Sequence, residues 1–152
     1  MVDRVNNAYD VLKALASTMR RTPELSTVPI KVMGVVNEDP NQAVKGWVGL
    51  YVDRSSYRPR ALGAGMKSWT ESPQFKVIVQ ASDAGSSEAA YMKLEELKGK
   101  VLDAIFADKT LGTYVDGSLL TIDVAYGAKE DDKVSLHFEG AVLTLTYESR
   151  TR

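Results

Sequence analysis

Phe75-Lys76-Val77-Ile78-Val79-Gln80-Ala81, followed by Ser82-Asp83-Ala84-Gly85-Ser86-Ser87, decides how this chain folds. The first stretch alternates apolar and mixed positions, the two-residue period of a half-buried strand. The second gathers turn formers and candidate helix N-caps. Beyond it Tyr91, Leu94, Leu97, Val101, Leu102, Ile105 and Phe106 recur at helical steps. Lys93, Glu96, Lys100 and Asp103 fall largely away from that stripe, so the spacing predicts an amphipathic helix over 86–107. Gly99 inside it costs about 1 kcal/mol relative to Ala and points to close backbone packing or to a weak point.

Working outward toward the N-terminus, Val5, Ala8, Tyr9, Leu12, Leu15, Ala16 and Met19 repeat at the same steps, which predicts a helix over about 3–21 that Pro23 ends. Val28 to Val36 is short and rich in β-branched residues, a strand with Pro29 near its start or on an edge. Asn37-Glu38-Asp39-Pro40-Asn41 reads as a turn, and Lys45 to Val52 as the returning strand of a hairpin. Toward the C-terminus, Leu120, Ile122, Val124 and Tyr126 share one face of a strand, and Lys129-Glu130-Asp131-Asp132-Lys133 makes a turn. In the last strand Val134, Leu136 and Phe138 hold even positions, whereas Ala141, Leu143, Leu145 and Tyr147 hold odd ones. A β-bulge near Glu139-Gly140 would keep both sets on the core side. Glu148 to Arg152 leaves the sheet, and 149–152 reads as a short tail that carries Arg150 and Arg152.

Residues 53–73 have no sustained period and read as a long irregular loop. Structureless connections beyond roughly 12–15 residues are uncommon in compact domains and are usually functional or disordered. Arg54, Arg58, Arg60 and Lys67 outnumber Asp53 and Glu71 there, and Tyr57 and Trp69 lie among them. Arg, Tyr and Trp are the types enriched in protein interfaces. The order of elements gives an α+β fold, a mainly antiparallel sheet with two amphipathic helices packed on one face and a long loop after the second strand.

The chain has 152 residues, with 19 Lys and Arg against 20 Asp and Glu, 44% hydrophobic residues, no Cys and one His. That describes a single domain over 1–152, long enough to bury about 68–70% of the surface its unfolded form exposes. Without Cys there are no thiol nucleophiles, thiolate zinc sites or disulfides, and His137 alone cannot supply two imidazoles to a metal. A formal charge of −1 creates no general attraction for nucleic acid or anionic membrane. No stretch approaches the roughly 18 apolar residues of a membrane helix, and the N-terminus lacks a secretory apolar run, so a cytosolic protein, or one released by lysis, is expected.

Local motifs do not add chemistry. Gly63-Ala64-Gly65-Met66-Lys67-Ser68 lacks the Gly directly before Lys-Ser that a phosphate-binding loop needs, and Pro73 follows soon after. His137 falls on the strand face opposite Leu136 and Phe138 and is expected to meet solvent or a neighbouring subunit. Neither Asp131-Asp132 nor Glu95-Glu96 forms an acid and base opposed across a cleft. Asp123 interrupts an apolar strand on the face away from Ile122 and Val124. No catalytic residue, cofactor or metal site is expected. Two other readings are a small-molecule pocket near Trp47, Tyr51 and Tyr126, and a nucleic-acid contact through the basic loop.

The element order, the length, the irregular loop and the closing segment from Val115-Asp116-Gly117 through Val142-Leu143-Thr144-Leu145-Thr146-Tyr147 together resemble the tail terminator, or tail completion, proteins of tailed bacteriophages. The likeness spans nearly the whole chain, chiefly 75–81, the helix 86–107 and the final hairpin. It lies in pattern, for the family carries no catalytic signature, and a similar phage neck, tail or head-tail connector protein shares it. The resemblance implies a non-enzymatic virion protein that forms a homo-oligomeric ring of six subunits. Such a ring caps the tail tube, ends its polymerisation and gives the head a joining surface. Its partners would be its own copies, the tail tube protein and a head-tail connector protein, with no membrane and with genome DNA at most passing through the lumen. It would assemble in the host cytoplasm and end in the virion neck. Under that reading Arg54, Tyr57, Arg58, Arg60, Lys67, Trp69, Arg150 and Arg152 are the expected interface residues.

Overall fold

The alternation at 75–81 becomes the middle strand of a five-stranded sheet. The computed structural model describes residues 8–33, 46–59, 69–109, 111, 115–131 and 136–149. In chain order these form α1 (Ala8–Arg20), a 3-10 turn (Pro23–Leu25), β1 (Ile30–Val32), β2 (Trp47–Pro59), β3 (Trp69–Asp83), α2 (Ser87–Ala107), β4 (Val115–Asp131) and β5 (Leu136–Ser149). The strands lie in the order β1-β2-β3-β5-β4, all neighbours antiparallel except β1 and β2. The class is α+β, as the element order predicts.

Strand alternation sorts the two faces. Val48, Leu50, Phe75, Val77, Val79, Ala141, Leu143, Leu145 and Tyr147 point to the helices and are buried with Leu12, Leu15 and Met19 of α1 and Leu94, Val101 and Ile105 of α2. Burying one such aliphatic side chain contributes about 1.5–3 kcal/mol, so this single cluster is the main source of stability. Phe75 and Tyr147 meet at its centre with ring centroids 6.0 Å apart.

Local chemistry starts α2 where the sequence predicts. Ser86 is its N-cap, its Oγ accepting from Ala89 N at 3.1 Å. Asp83 closes the preceding turn by accepting from Gly85 N at 2.7 Å and from Lys93 Nζ at 2.6 Å. The Lys93 bond, then that of Gly85, holds the Asp83 carboxyl below its ordinary value of 3.8.

Four expectations are corrected. First, β1 pairs with β2 in parallel, Ile30 opposite Val48 and Val32 opposite Leu50, so the two do not form a hairpin. A parallel pair needs a crossover of about a dozen residues or more, and the stretch between Val32 and Trp47 is long enough; its expected turn at 37–41 lies outside the described residues. Second, much of 53–73 is strand. The ladder runs from Trp47 opposite Gln80 to Pro59 opposite Trp69, with a bulge between Val52 and Arg54. This arm extends past the helix-covered rows, and its sequence carries no apolar alternation to announce a strand.

Third, β5 has no bulge at Glu139-Gly140. Its register against β3 is continuous from His137 opposite Asp83 to Thr146 opposite Gln74. Phe138 is therefore buried on the face away from the helices, outside the main cluster. Fourth, Tyr9, Tyr91 and Phe106 are not core residues of their helices but are 51%, 44% and 51% exposed. The helical stripe of each is wider than the strip of sheet it covers, which leaves its flanking aromatic residues in solvent.

Candidate assembly surface

Two places outside the helix-covered core bring aromatic and charged residues together. The first is the arm of β2 and β3. The bulge at Asp53 shifts the pairing so that Arg54 stands opposite Gln74, and Gln74 opposite Thr146. Along that row Arg54 Nε donates to Gln74 Oε1 at 2.8 Å, and Gln74 Nε2 donates to Thr146 Oγ1 at 3.2 Å. Lys76 Nζ stands 3.6 Å from Asp53 Oδ1 on the same face. Of the interface residues read from sequence, the structure brings Arg54, Tyr57, Arg58 and Trp69 onto one two-stranded arm. Tyr57 pairs with Glu71, Arg58 with Thr70 and Pro59 with Trp69. Arg60, Lys67, Arg150 and Arg152 lie outside the described residues.

The second place is the meeting of α2 with β4. Tyr91 and Tyr126 approach with ring centroids 6.0 Å apart, and Lys98 sits beneath them. Its ammonium donates to Tyr126 Oη and to Glu95 Oε2, the latter at 2.7 Å, and lies 5.0 Å from the Tyr126 ring centroid. The Lys98 bond draws the Glu95 carboxyl below its ordinary value, and the Glu95 bond raises Lys98 in turn. The charge of Glu95 pushes the Tyr91 phenol up. Tyr126 is 51% exposed and Val124 beside it 37%. Sequence reasoning missed this cluster. Its signal is the spacing of Tyr91, Glu95 and Lys98, which puts three polar-tipped side chains on one flank of the helix.

His137 is half-buried on the helix side of β5, where Nδ1 lies 3.2 Å from Ser87 Oγ at the start of α2. It stays partly exposed while its ring meets α2 within the same chain. The aromatic pocket considered from sequence does not assemble either, because Trp47 and Tyr51 lie on the face away from the helices and Tyr126 on the helix side. A cleft of about 570 Å³ does open between the C-terminal ends of α1 and α2. Its rim alternates in sign, with Arg21, Lys100, Glu24, Asp103 and Asp108. Asp108 there accepts from Thr18 Oγ1 at 3.3 Å and stands 3.9 Å from Arg21, contacts that tie the two helices together. Among the described residues no three His, Asp or Glu side chains come together as a metal site, and no helix is long and apolar enough to cross a membrane.

No protein-family model matches the chain, and no curated protein matches it. Among solved structures, the chain is similar to a chain of the virion of a native gene transfer agent particle. The two are 15% identical, with a TM-score of 0.38, over 93% of this chain and 92% of that one.

Proposed function

We propose that this chain is a structural virion protein, without enzymatic activity, that assembles as a homo-oligomeric ring of six copies on the end of a phage tail tube. There it ends tube polymerisation and gives the head a joining surface, with genome DNA at most passing through its lumen. The observation that carries this reading is the arm of β2 and β3, which takes Arg54, Tyr57, Arg58 and Trp69 past the helix-covered core. Paired backbone gives those residues a firm base, and Arg with aromatic anchors is the composition of protein-binding hot spots. The partners are other copies, the tail tube protein and a head-tail connector protein, met in the host cytoplasm during assembly.

Native mass spectrometry with negative-stain imaging tests the reading, first on the purified protein and then with polymerising tail tube protein added. A closed ring, alone or on tube ends, and tubes of limited length are expected. A chain that stays monomeric in both samples and leaves tube length unchanged overturns it.

A further inference from the structure

We infer that copies of this chain join head to tail by sheet extension, the open edge of β2 in one copy pairing with the open edge of β4 in the next. This names the self-contact of the ring proposed above and rests on that reading. The two edges differ from the one protected edge of the sheet. β1 is three residues long and covers β2 only from Val48 to Leu50. Its own Ile30 carbonyl is capped by Arg20 at 2.9 Å, and Lys31 is exposed. Beyond Leu50, β2 continues through Pro59 with no strand on that side among the described residues. β4 is 17 residues long and, among the described residues, is paired only by β5. Natural sheets blunt their edges with short strands, Lys, Pro or a cover, because an open edge recruits another strand. β1 has such devices along its whole length, whereas on the open part of β2 they are confined to the bulge at Asp53 and to Pro59 at its far end. Among the described residues the stretch of β4 from Thr121 to Gly127 is open on its outer side, and its one charge is Asp123.

Charge then selects which edges meet. The open part of β2 carries Arg54 and Arg58 against Asp53, whereas β4 carries Asp116, Asp123, Glu130 and Asp131 against Lys129. Pairing β4 with β4 sets acidic strands together, and like charges opposite each other destabilise a sheet. Pairing β2 with β4 sets opposite signs together. Asp53 is already occupied by Lys76 at 3.6 Å, which leaves the cationic character of the β2 edge to Arg54 and Arg58. A strand laid beside β4 also runs along exposed Val124 and Tyr126, apolar surface that a second copy would remove from water. Because the two edges are different surfaces of one molecule, the contact is heterologous, the kind that closes into rings.

The chain has no Cys, so introduced thiols report contacts uniquely. Single cysteines at exposed Asp53 and Ser56 on β2, and at exposed Thr121, Asp123 and Ala125 on β4, are made in separate chains. Each β2 variant is mixed with each β4 variant under mild oxidation and with a short bis-maleimide. Circular dichroism checks that every variant keeps the wild-type fold, and native mass spectrometry of the wild type gives the oligomeric state. Adducts joining a β2 cysteine to a β4 cysteine, in excess over same-strand adducts, are expected. An oligomeric protein that yields only same-strand adducts, or none, overturns the edge pairing and leaves the ring reading standing. A protein that is monomeric with and without tail tube protein overturns both.

Discussion

Arg54 Nε donates to Gln74 Oε1 over 2.8 Å, and Gln74 is itself tied to Thr146, so a side chain on the outer arm is steadied by a row that crosses three strands. An anchor already held in place loses less rotamer freedom when a partner arrives. The Arg54 bond is exposed and contributes little to folding, for surface changes away from special features usually stay within about 0.5 kcal/mol. Arg54→Ala should therefore melt within about 2 °C of wild type in a thermal scan. Association, followed by sedimentation velocity, should weaken severalfold. A large loss of melting temperature with unchanged association would mean that the row serves the fold alone.

Two glycines should respond to Ala with opposite signs. Gly46 has φ +75, and a Cβ there would come within 2.8 Å of Leu97 Cδ2 and 3.0 Å of the Gln80 carbonyl oxygen. The Leu97 tip can rotate away, but the strand carbonyl and the left-handed backbone cannot adjust cheaply, so Gly46→Ala should cost roughly 1–3 kcal/mol. Gly99 in α2 has nothing within 4 Å of such a Cβ. Of the two meanings that the sequence allowed for it, the weak point is the correct one. Gly99→Ala should stabilise by up to about 1 kcal/mol through helix propensity. Urea midpoints of both variants, at unchanged slope, check the pair.

Tyr147 is fully buried and its hydroxyl has no hydrogen-bond partner among the described residues. Burial first, and the Asp108 carboxylate second, push its phenol well above the ordinary value of 10.0. Below that value both folded and unfolded chains hold the proton, and the group adds no pH dependence. Above it the unfolded chain ionises while the folded one does not, so stability should fall as pH rises beyond about 10. Tyr147→Phe removes this alkaline loss. Near neutral pH it should be neutral or stabilising by about 1 kcal/mol, since an unpartnered buried hydroxyl costs about 1–3 kcal/mol. Denaturant titrations at neutral and alkaline pH check both parts; equal alkaline loss in the two proteins would reject the assignment to Tyr147.

How much of this was legible in the sequence follows from burial. Where one face of an element packs on the core, as at Phe75 to Ala81 or along Leu94, Leu97 and Val101, hydrophobic period gives its type and its buried side. Where no apolar alternation runs along the strand, as in the β2–β3 arm from Ser55 outward, composition imitates a loop although the backbone is fully paired. Phase is a weaker guide than period. Phe138 and Ala141 are both buried, yet an unbroken strand puts them on opposite faces, because the side away from the helices also encloses Trp47 and Phe138. Strand direction is not written locally at all, so β1 and β2 read equally well as a hairpin or as a parallel pair. The candidate assembly surface was half legible: the arm's Arg and aromatic residues stand out by composition, while the Tyr91–Tyr126 cluster needs two distant elements to meet.

Substitutions at Tyr126 should separate folding from the proposed assembly. Its ring is 51% exposed on β4, touches Tyr91 and is gripped at its oxygen by Lys98, so its near face packs on α2 and half of its surface faces outward among the described residues. Tyr126→Ala removes a half-exposed ring and one bond to Lys98, which keeps its partner Glu95 at 2.7 Å. The folding cost should therefore be only about 1 kcal/mol, the net value of a typical hydrogen bond. If a neighbouring copy lays a strand along β4, the same change strips an aromatic anchor from the contact. Hot-spot residues of that type are worth about 2 kcal/mol or more, which is roughly a thirtyfold weakening per contact. Tyr126→Phe keeps the ring and should retain most of the association. Sedimentation velocity against concentration, set beside thermal melts of the same samples, separates the two effects. Parallel losses in melting and association, of the size that folding alone explains, would take β4 out of the interface.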